Sequence, residues 1–227
     1  MQTAINLPNQ SSILHAWRVQ PIVNIPFRST QLEEKGGGYN ALLTYISKLT
    51  GISLTSSEQA QLQQAFKLKS LRRRQYFLQE GDICRYMCFV ISGALRMYSV
   101  NERGQEAIVS FSVENSWITD RESVSLQTPS RYNIEAIEPT QILFISSVQL
   151  DALAMVVPAI AKMIELQYRF QAIATQKRIH SAISMTAEER YHDLLQCNPE
   201  YTQRFSQNML AAYLGIKPET LSRLRKR

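Results

Sequence analysis

The chain has 227 residues, 44% apolar and 19% charged, which suits one or two globular domains with a real core. No stretch approaches the roughly 18 apolar residues needed to span a bilayer, and the N-terminus carries no apolar signal core, so a cytoplasmic protein with no membrane partner is expected. The formal charge of +6 is concentrated: from Tyr201 onward six Lys and Arg face Glu219 alone, whereas residues 1–200 hold 19 basic and 18 acidic residues. A basic end on a near-neutral body is the footprint of a nucleic-acid-binding module.

In chain order, residues 1–38 are polar, carry Pro8, Pro21 and Pro26, and end in Gly36-Gly37-Gly38; they read as a poorly ordered arm closed by a flexible hinge. Helical patterning starts at Tyr39 with Leu42, Leu43, Ile46 and Leu49, and resumes after Thr55, which forms a capping box with Glu58. Residues 67–146 change to short strands separated by turns. Tyr86–Ile91 is one, broken at Ser92-Gly93. Ala94–Val100 follows, with Leu95 and Met97 on one face and Arg96 and Tyr98 on the other. Asn101 to Gly104 supplies a hairpin turn, Glu106–Phe111 returns, and Tyr132–Ala136 and Gln141–Ile145 complete about eight strands. This spacing favours an antiparallel jelly roll.

After Ser146 the strands stop. Residues 158–184 contain no internal Pro or Gly and predict a single long helix. Ala159, Met163, Leu166, Phe170 and Ile173 alternate at spacings of four and three, a short coiled-coil seam that either meets a second copy or packs on the chain's own β-domain. Thr186 and Glu189 form another capping box, opening a helix through about Cys197.

The last 23 residues have the layout of a helix-turn-helix. Leu210, Leu214, Ile216, Leu221 and Leu224 are the apolar positions where two short crossed helices meet, and Ala211 is small at their closest approach. Gly215 falls just past the first helix, where φ > 0 is needed, and Pro218 at the first position of the second. The fold class is therefore α+β: an N-terminal jelly roll over 39–157, a dimerisation helix over 158–184, and a helix-turn-helix domain over 185–227, behind the arm 1–38.

Other chemistries find little support. Cys84, Cys88 and Cys197 are an odd count without a C-x-x-C pair and read as free thiols, two of them in a strand. No His lies between Trp17 and His180, so the roll has no imidazole for a cupin-type metal enzyme, and no enzymatic activity or metal is expected.

This order of elements, with Gln79-Glu80-Gly81-Asp82, the segment Phe89 to Arg96, the Gly104 turn before Glu106, and the run Gly215 to Arg223, resembles the Crp/Fnr family of transcription regulators, that of the catabolite activator protein, over roughly residues 39–227. The run from Gly215 looks like the recognition-helix start common in members from Bacteroidetes-type bacteria. The resemblance implies a homodimer on double-stranded DNA, with Met163, Leu166, Phe170 and Ile173 as the dimer seam and RNA polymerase as a possible further partner. Two recognition helices would enter successive major grooves about 34–36 Å apart. Glu219 would accept from a cytosine amino group and Arg223 would grip guanine, while Thr220, Ser222, Arg225 and Lys226 suit phosphate. Lys217 and Pro218 stand where the family often has a capping residue or a base-reading Arg, so the bases read should differ.

Nucleotide-binding members cradle a cyclic phosphate with a motif resembling Gly-Glu-Leu, followed about ten residues later by Arg-Ser or Arg-Thr. The matching stretch here places Thr119 at the Gly, Asp120 at the Glu, Arg131 at the phosphate-binding Arg and Tyr132 at the small hydroxyl. A Cβ at Thr119 blocks close approach and Tyr132 fills phosphate space, so no cyclic nucleotide and no other cofactor is expected, and Arg131 would be held by Glu122 or Asp120. An iron–sulfur sensor would need four thiolates, and a haem sensor an axial ligand with a supporting motif. The resemblance therefore implies a DNA-binding regulator whose roll senses an unknown small-molecule effector or none. The alternatives are a cyclic-nucleotide-responsive regulator and a sensor or interaction module without DNA output.

Overall fold

The computed structural model describes residues 37–226. Its centre is a pair of four-stranded antiparallel sheets, built from β1 (Lys67–Leu71), β2 (Tyr76–Leu78), β3 (Tyr86–Ser92), β4 (Leu95–Val100), β5 (Glu106–Ser112), β6 (Trp117–Ile118), β7 (Asn133–Ala136) and β8 (Thr140–Ser146). One sheet has the order β1-β8-β3-β6, the other β2-β7-β4-β5, the double-sheet arrangement of a jelly roll. Between them lie Leu71, Leu78, Cys88, Val90, Leu95, Ile118, Ile134 and Ile142, all buried. The alternation read along β4 holds: Leu95 and Met97 face this interior, while Tyr98 belongs to a cluster on the outer face.

Each sheet has a second, outer cover. Against the first sheet pack α1 (Gly37–Thr50), α2 (Ser56–Ala65), α4 (Ser147–Val156) and the start of α5 (Pro158–Ser184), burying Leu42, Ile46, Phe66, Phe89, Leu143, Ile145 and Ile160. Thr55 caps α2 and forms the expected box with Glu58. Helix α1 begins two residues before Tyr39, so Gly37 and Gly38 are helical rather than a hinge. The reason is packing: a Cβ on Gly38 would come within 2.8 Å of Ile91 Cδ1, and its absence lets the helix lie close on β3. The rest of the arm, 1–36, lies outside the described residues. Cys84 precedes β3 rather than lying in a strand; among the described residues all three cysteines are free.

The outer face of the second sheet carries the C-terminal helices: α6 (Ala187–Cys197), α7 (Tyr201–Arg204), α8 (Gln207–Leu214) and α9 (Pro218–Leu224). Thr186 caps α6 and completes its box with Glu189. Tyr98, Ile108, Phe111 and Val113 of the roll share one buried cluster with Tyr191, Leu194, Phe205, Leu210, Ala211, Leu214 and Leu221. A bulge produces this face. Met97 pairs with Ser110 but Tyr98 pairs with Ile108, so Val109 is extra and Ile108 and Phe111, three apart, point the same way. Phe111 stacks on Phe205 with ring centroids 3.8 Å apart and planes 15° from parallel.

Ion pairs frame that stack. Arg204 on α7 donates to both oxygens of Glu114 (2.6 Å each) and to Glu138 on the β7–β8 turn (2.5 and 3.0 Å). Glu114 also accepts the Gly93 N–H at 2.8 Å. From α5, Arg178 donates to the carbonyls of Ile108 (2.9 Å) and Tyr213 (3.1 Å), its guanidinium 4.2 Å from the centroid of the Tyr213 ring. The long helix thus pins roll and C-terminal domain together.

Gly93 sits at φ +90°, where a Cβ would lie 2.5 Å from Pro139 O and 2.6 Å from Thr140 Cα, both backbone atoms. Gly93→Ala should therefore cost about 3 kcal/mol or more, read as a lower midpoint in denaturant unfolding. Arg204→Gln should weaken the docked domain by about 1–2 kcal/mol, less than a fully buried pair because both carboxylates keep about a third of their surface in water. Burial alone would raise the Glu114 carboxyl, but the hydrogen bonds from Arg204 outweigh it and hold it below the usual range. A depressed carboxylate stabilises above its unfolded pKa and loses that contribution as pH falls through the folded one. Acidification below the ordinary carboxylate range should therefore undock the domain, seen as an increase in radius of gyration, and Arg204→Gln should remove much of that acid response.

Candidate nucleic-acid interface

Helices α8 and α9 cross as a helix-turn-helix. Ser206 caps α8 by accepting the Met209 N–H at 3.3 Å. Gly215 ends it at φ +67°, its N–H returning to Ala211 O. Pro218 then opens α9 at its first turn, after Lys217 in an extended conformation. Leu210 (1%), Ala211 (0%), Leu214 (7%) and Leu221 (0%) are buried, and Ile216 and Leu224 are half-buried against them.

What this core leaves outside is the polar face of α9. Lys217, Glu219, Arg223, Arg225 and Lys226 are exposed, and Thr220 and Ser222 are half-buried. Arg223 is steadied by an Nε–H contact to Glu219 O at 3.4 Å, one turn back. Arg225 lies at the C-cap and Lys226 in the turn beyond it. The residues singled out for DNA reading therefore sit together on one helix and its flanks, with their charged ends in water. Arg227 lies outside the described residues.

Three of the four residues of the expected effector pocket have other partners, and Tyr132 bonds Ser130 Oγ through its backbone N–H at 3.0 Å. Asp120 is 4% exposed and caps α3 (Arg121–Leu126), accepting from Glu122 N at 3.1 Å and Ser123 N at 3.3 Å. Its other oxygen accepts from Ser130 Oγ at 2.6 Å. The reading of Asp120 as a shortened ribose-binding Glu is corrected accordingly: both oxygens are already committed to the protein, as an N-cap requires. Thr119 Oγ1 donates to Tyr86 O at 3.2 Å. Arg131 reaches Glu122 at 3.3 Å, with both side chains more than half exposed. A cyclic phosphate needs an open backbone and an inward guanidinium, and these residues do not fit it.

The dimer seam also needs correction. Ala159 and Met163 are 0% and 1% exposed within the chain's own helix–sheet core, so Met163 has no surface to offer a second copy. At 3.6 residues per turn, Met163, Gln167 and Arg178 share the face toward the roll and the C-terminal domain. Gln167 hydrogen-bonds Tyr45 on that face. Leu166, Phe170 and Ile173 lie half-buried along one flank. The opposite flank holds Tyr168 (58% exposed), Ala172, Thr175, Ile179 (55%) and Ile183 (79%), the first four lining a shallow apolar groove. The sequence seam ended where Lys177 interrupts it and missed this second register, spaced four-three-four-four, because Ala172 and Thr175 in its middle are not large apolar residues.

Among the described residues no group of three or more His, Cys, Asp or Glu could hold a metal ion, and no helix is long and apolar enough to cross a membrane.

Residues 68–156 match the family model of the cyclic nucleotide-binding domain. The chain is 26% identical over 167 residues to an anaerobic regulatory protein of Haemophilus influenzae, covering 69% of this chain and 64% of that protein, just under two thirds of its length. It is likewise 26% identical over 184 residues to the regulatory protein HlyX of Actinobacillus pleuropneumoniae, covering 76% of each. Among solved structures, FixK2 of Bradyrhizobium japonicum superposes with a TM-score of 0.61 at 19% identity, covering 71% of this chain and 83% of that one. Residues 68–156 thus carry the fold of a cyclic nucleotide-binding domain, in a chain similar in sequence to bacterial regulatory proteins and in fold to FixK2.

Proposed function

We propose that the chain is a homodimeric transcription regulator that reads a two-fold symmetric DNA site with α9. The observation that carries this reading is α9 itself: a packed helix opened by Pro218, whose outward face and flanks hold Lys217, Glu219, Thr220, Arg223 and, at its end, Arg225 and Lys226. Arg223 supplies a bidentate donor pair for guanine and Glu219 an acceptor for a cytosine amino group. Thr220, Ser222, Arg225 and Lys226 bind phosphate and set the register. The regulatory names of the sequence relatives agree with this assignment. RNA polymerase is the natural downstream partner of such a regulator, and the cell interior its place of work.

Dimerisation through α5 uses the exposed flank Tyr168, Ala172, Thr175, Ile179 and Ile183 rather than the register that begins at Met163. Those side chains alternate at coiled-coil spacing and stay in water in the single chain. The roll acts without a cyclic nucleotide, because Asp120 is spent on capping and Arg131 points outward to Glu122. Any effector is a different small molecule.

Selecting bound DNA from random pools tests the central assignment, and a two-fold symmetric consensus is expected. On that DNA, Arg223→Ala should cost roughly 1–3 kcal/mol and relax one base position, whereas Lys226→Ala should weaken all DNA alike and flatten the salt dependence by about 0.9 of a slope unit. Equal behaviour of both variants on selected and random DNA would remove α9 from the interface. Ile179→Glu sets like charges across the proposed seam and should yield monomers in sedimentation at tens of micromolar, whereas a change at Met163 should lower stability without changing the oligomeric state.

A further inference from the structure

A cleft of about 240 Å³ opens where α3, α4 and α5 meet the edge of the first sheet. It is separate from the stretch read as a nucleotide cradle: none of Thr119, Asp120, Arg131 and Tyr132 lines it. Its apolar side is made by Met87 on β3, Trp117 on β6, Leu150 on α4 and Met163 and Ile164 on α5. Trp117 is the residue without a complete explanation in the fold. Its ring packs on Phe66 and Phe89, with centroids 6.0 and 5.4 Å away. Its Nε1–H, however, is buried and meets no acceptor among the described residues. Native structures nearly always satisfy a buried donor, so an orphan beside a cleft points to an acceptor supplied from outside the chain.

The polar side of the cleft supplies a second unspent donor. Arg121, the first residue of α3, is half-buried, its guanidinium 4.8 Å from the centroid of the Tyr168 ring. Among the described residues it forms no ion pair, and the adjacent Glu122 is taken by Arg131. Asp151 also lines the cleft, but it is exposed and is not paired with Arg121. Gln167 is already spent on the Tyr45 hydroxyl. One cation, one neutral N–H and an apolar wall therefore converge on the same space.

We propose that this cleft binds a small monocarboxylate with a compact apolar body. At the share of volume a water takes in the liquid, about 30 Å³, the cleft holds roughly eight non-hydrogen atoms. A guanidinium meets a carboxylate with a matching planar pair of donors, and the indole N–H adds a charge-assisted bond to the same group. The body of the ligand then lies on Met87, Leu150 and Ile164, away from water. A phosphate dianion would leave its second charge uncompensated close to Asp151, and an ammonium would face two donors. Binding here leaves the α3 cap whole, because Asp120 keeps its bonds to Glu122, Ser123 and Ser130. The inference stands on this cleft alone and does not rest on the reading of α9.

Calorimetric titration of the full chain with hexanoate and benzoate tests the site, with 1-hexanol and hexylamine as the neutral and cationic counterparts. At least one carboxylate should bind saturably with a Kd below about a millimolar, and its counterparts about tenfold or more weakly. Arg121→Gln should weaken carboxylate binding about tenfold or more, and Trp117→Phe, which keeps a ring and removes the N–H, about tenfold. Asp151→Asn alters an exposed side chain, so it should fold as wild type does and bind the carboxylate more tightly by losing a like charge. Arg131→Gln should change nothing. In Trp17→Phe protein, where Trp117 is the one tryptophan left, the same carboxylate should shift the emission. The proposal is overturned if neither carboxylate binds saturably up to about 10 mM. It fails equally if Arg121→Gln and Trp117→Phe leave binding unchanged, or if Arg131→Gln abolishes it, which would place the ligand at the cradle instead. Tighter binding of hexylamine, lost in Asp151→Asn, would make the cleft a cation site and also defeat the proposal. No DNA enters these measurements, so their failure leaves the assignment of α9 standing, and failure of that assignment leaves the cleft untouched.

Discussion

The architecture depends on covering the outer face of the second sheet. A jelly roll normally leaves such a face to water, but the bulge at Val109 brings Ile108 and Phe111 out beside Tyr98, an apolar surface too large to leave exposed. Phe205 and the core of the helix-turn-helix cover it. The helix-turn-helix domain is therefore not suspended from a linker: its own core is continuous with the roll. Because α8 and α9 are only 8 and 7 residues long, they are marginal as isolated helices and gain their stability from this packing.

The same arrangement divides the work of α5 along its length. Its first turns are core, with Ala159, Ile160 and Met163 buried beneath the first sheet's helices. Its second half is a strut whose inward face carries Arg178 and whose flank exposes Ile179 and Ile183. A single helix thus packs on its own roll, bridges to the helix-turn-helix domain and retains an apolar edge. Since Arg178 bonds two backbone carbonyls, the strut fixes positions rather than side-chain rotamers, and a second copy seated on the free flank would inherit that fixed geometry for α9.

Much of this was legible in the sequence because the signals were local. The capping residues Thr55 and Thr186, the strand alternation at Leu95 to Tyr98, and the pairing of Gly215 with Pro218 each specify backbone within a few residues, and each is found where its pattern places it. What was not legible depends on contacts between distant segments. Period-two alternation would put Ile108 and Phe111 on opposite faces; the extra residue that aligns them is defined only by the register with β4. A four-three repeat beginning at Ala159 cannot say whether it meets its own chain or another. Asp120 reads equally as a shortened Glu or as a helix cap until Ser130, ten residues on, is seen to occupy its second oxygen. The docking role of Arg204 was invisible for the same reason, since its partners lie 66 and 90 residues away.

These contacts also restrict how a signal could reach α9. The roll groups that hold the C-terminal domain, among them Tyr98, Ile108, Phe111, Val113, Glu114 and Glu138, belong to the second sheet or to its turns, while the capped α3 lies between β6 and β7. A molecule bound to the roll shifts the docking of the helix-turn-helix domain only in proportion to its different affinity for the clamped and released arrangements. A ligand held by Thr119, Asp120, Arg131 and Tyr132 would first have to take Asp120 from the α3 cap and from Ser130, at the expense of those hydrogen bonds. That cost falls on binding before any gain at the clamp, which lies at the edge of β5 and on the β7–β8 turn. A ligand that leaves the α3 cap intact and acts on the clamp or on α5 directly meets no such penalty.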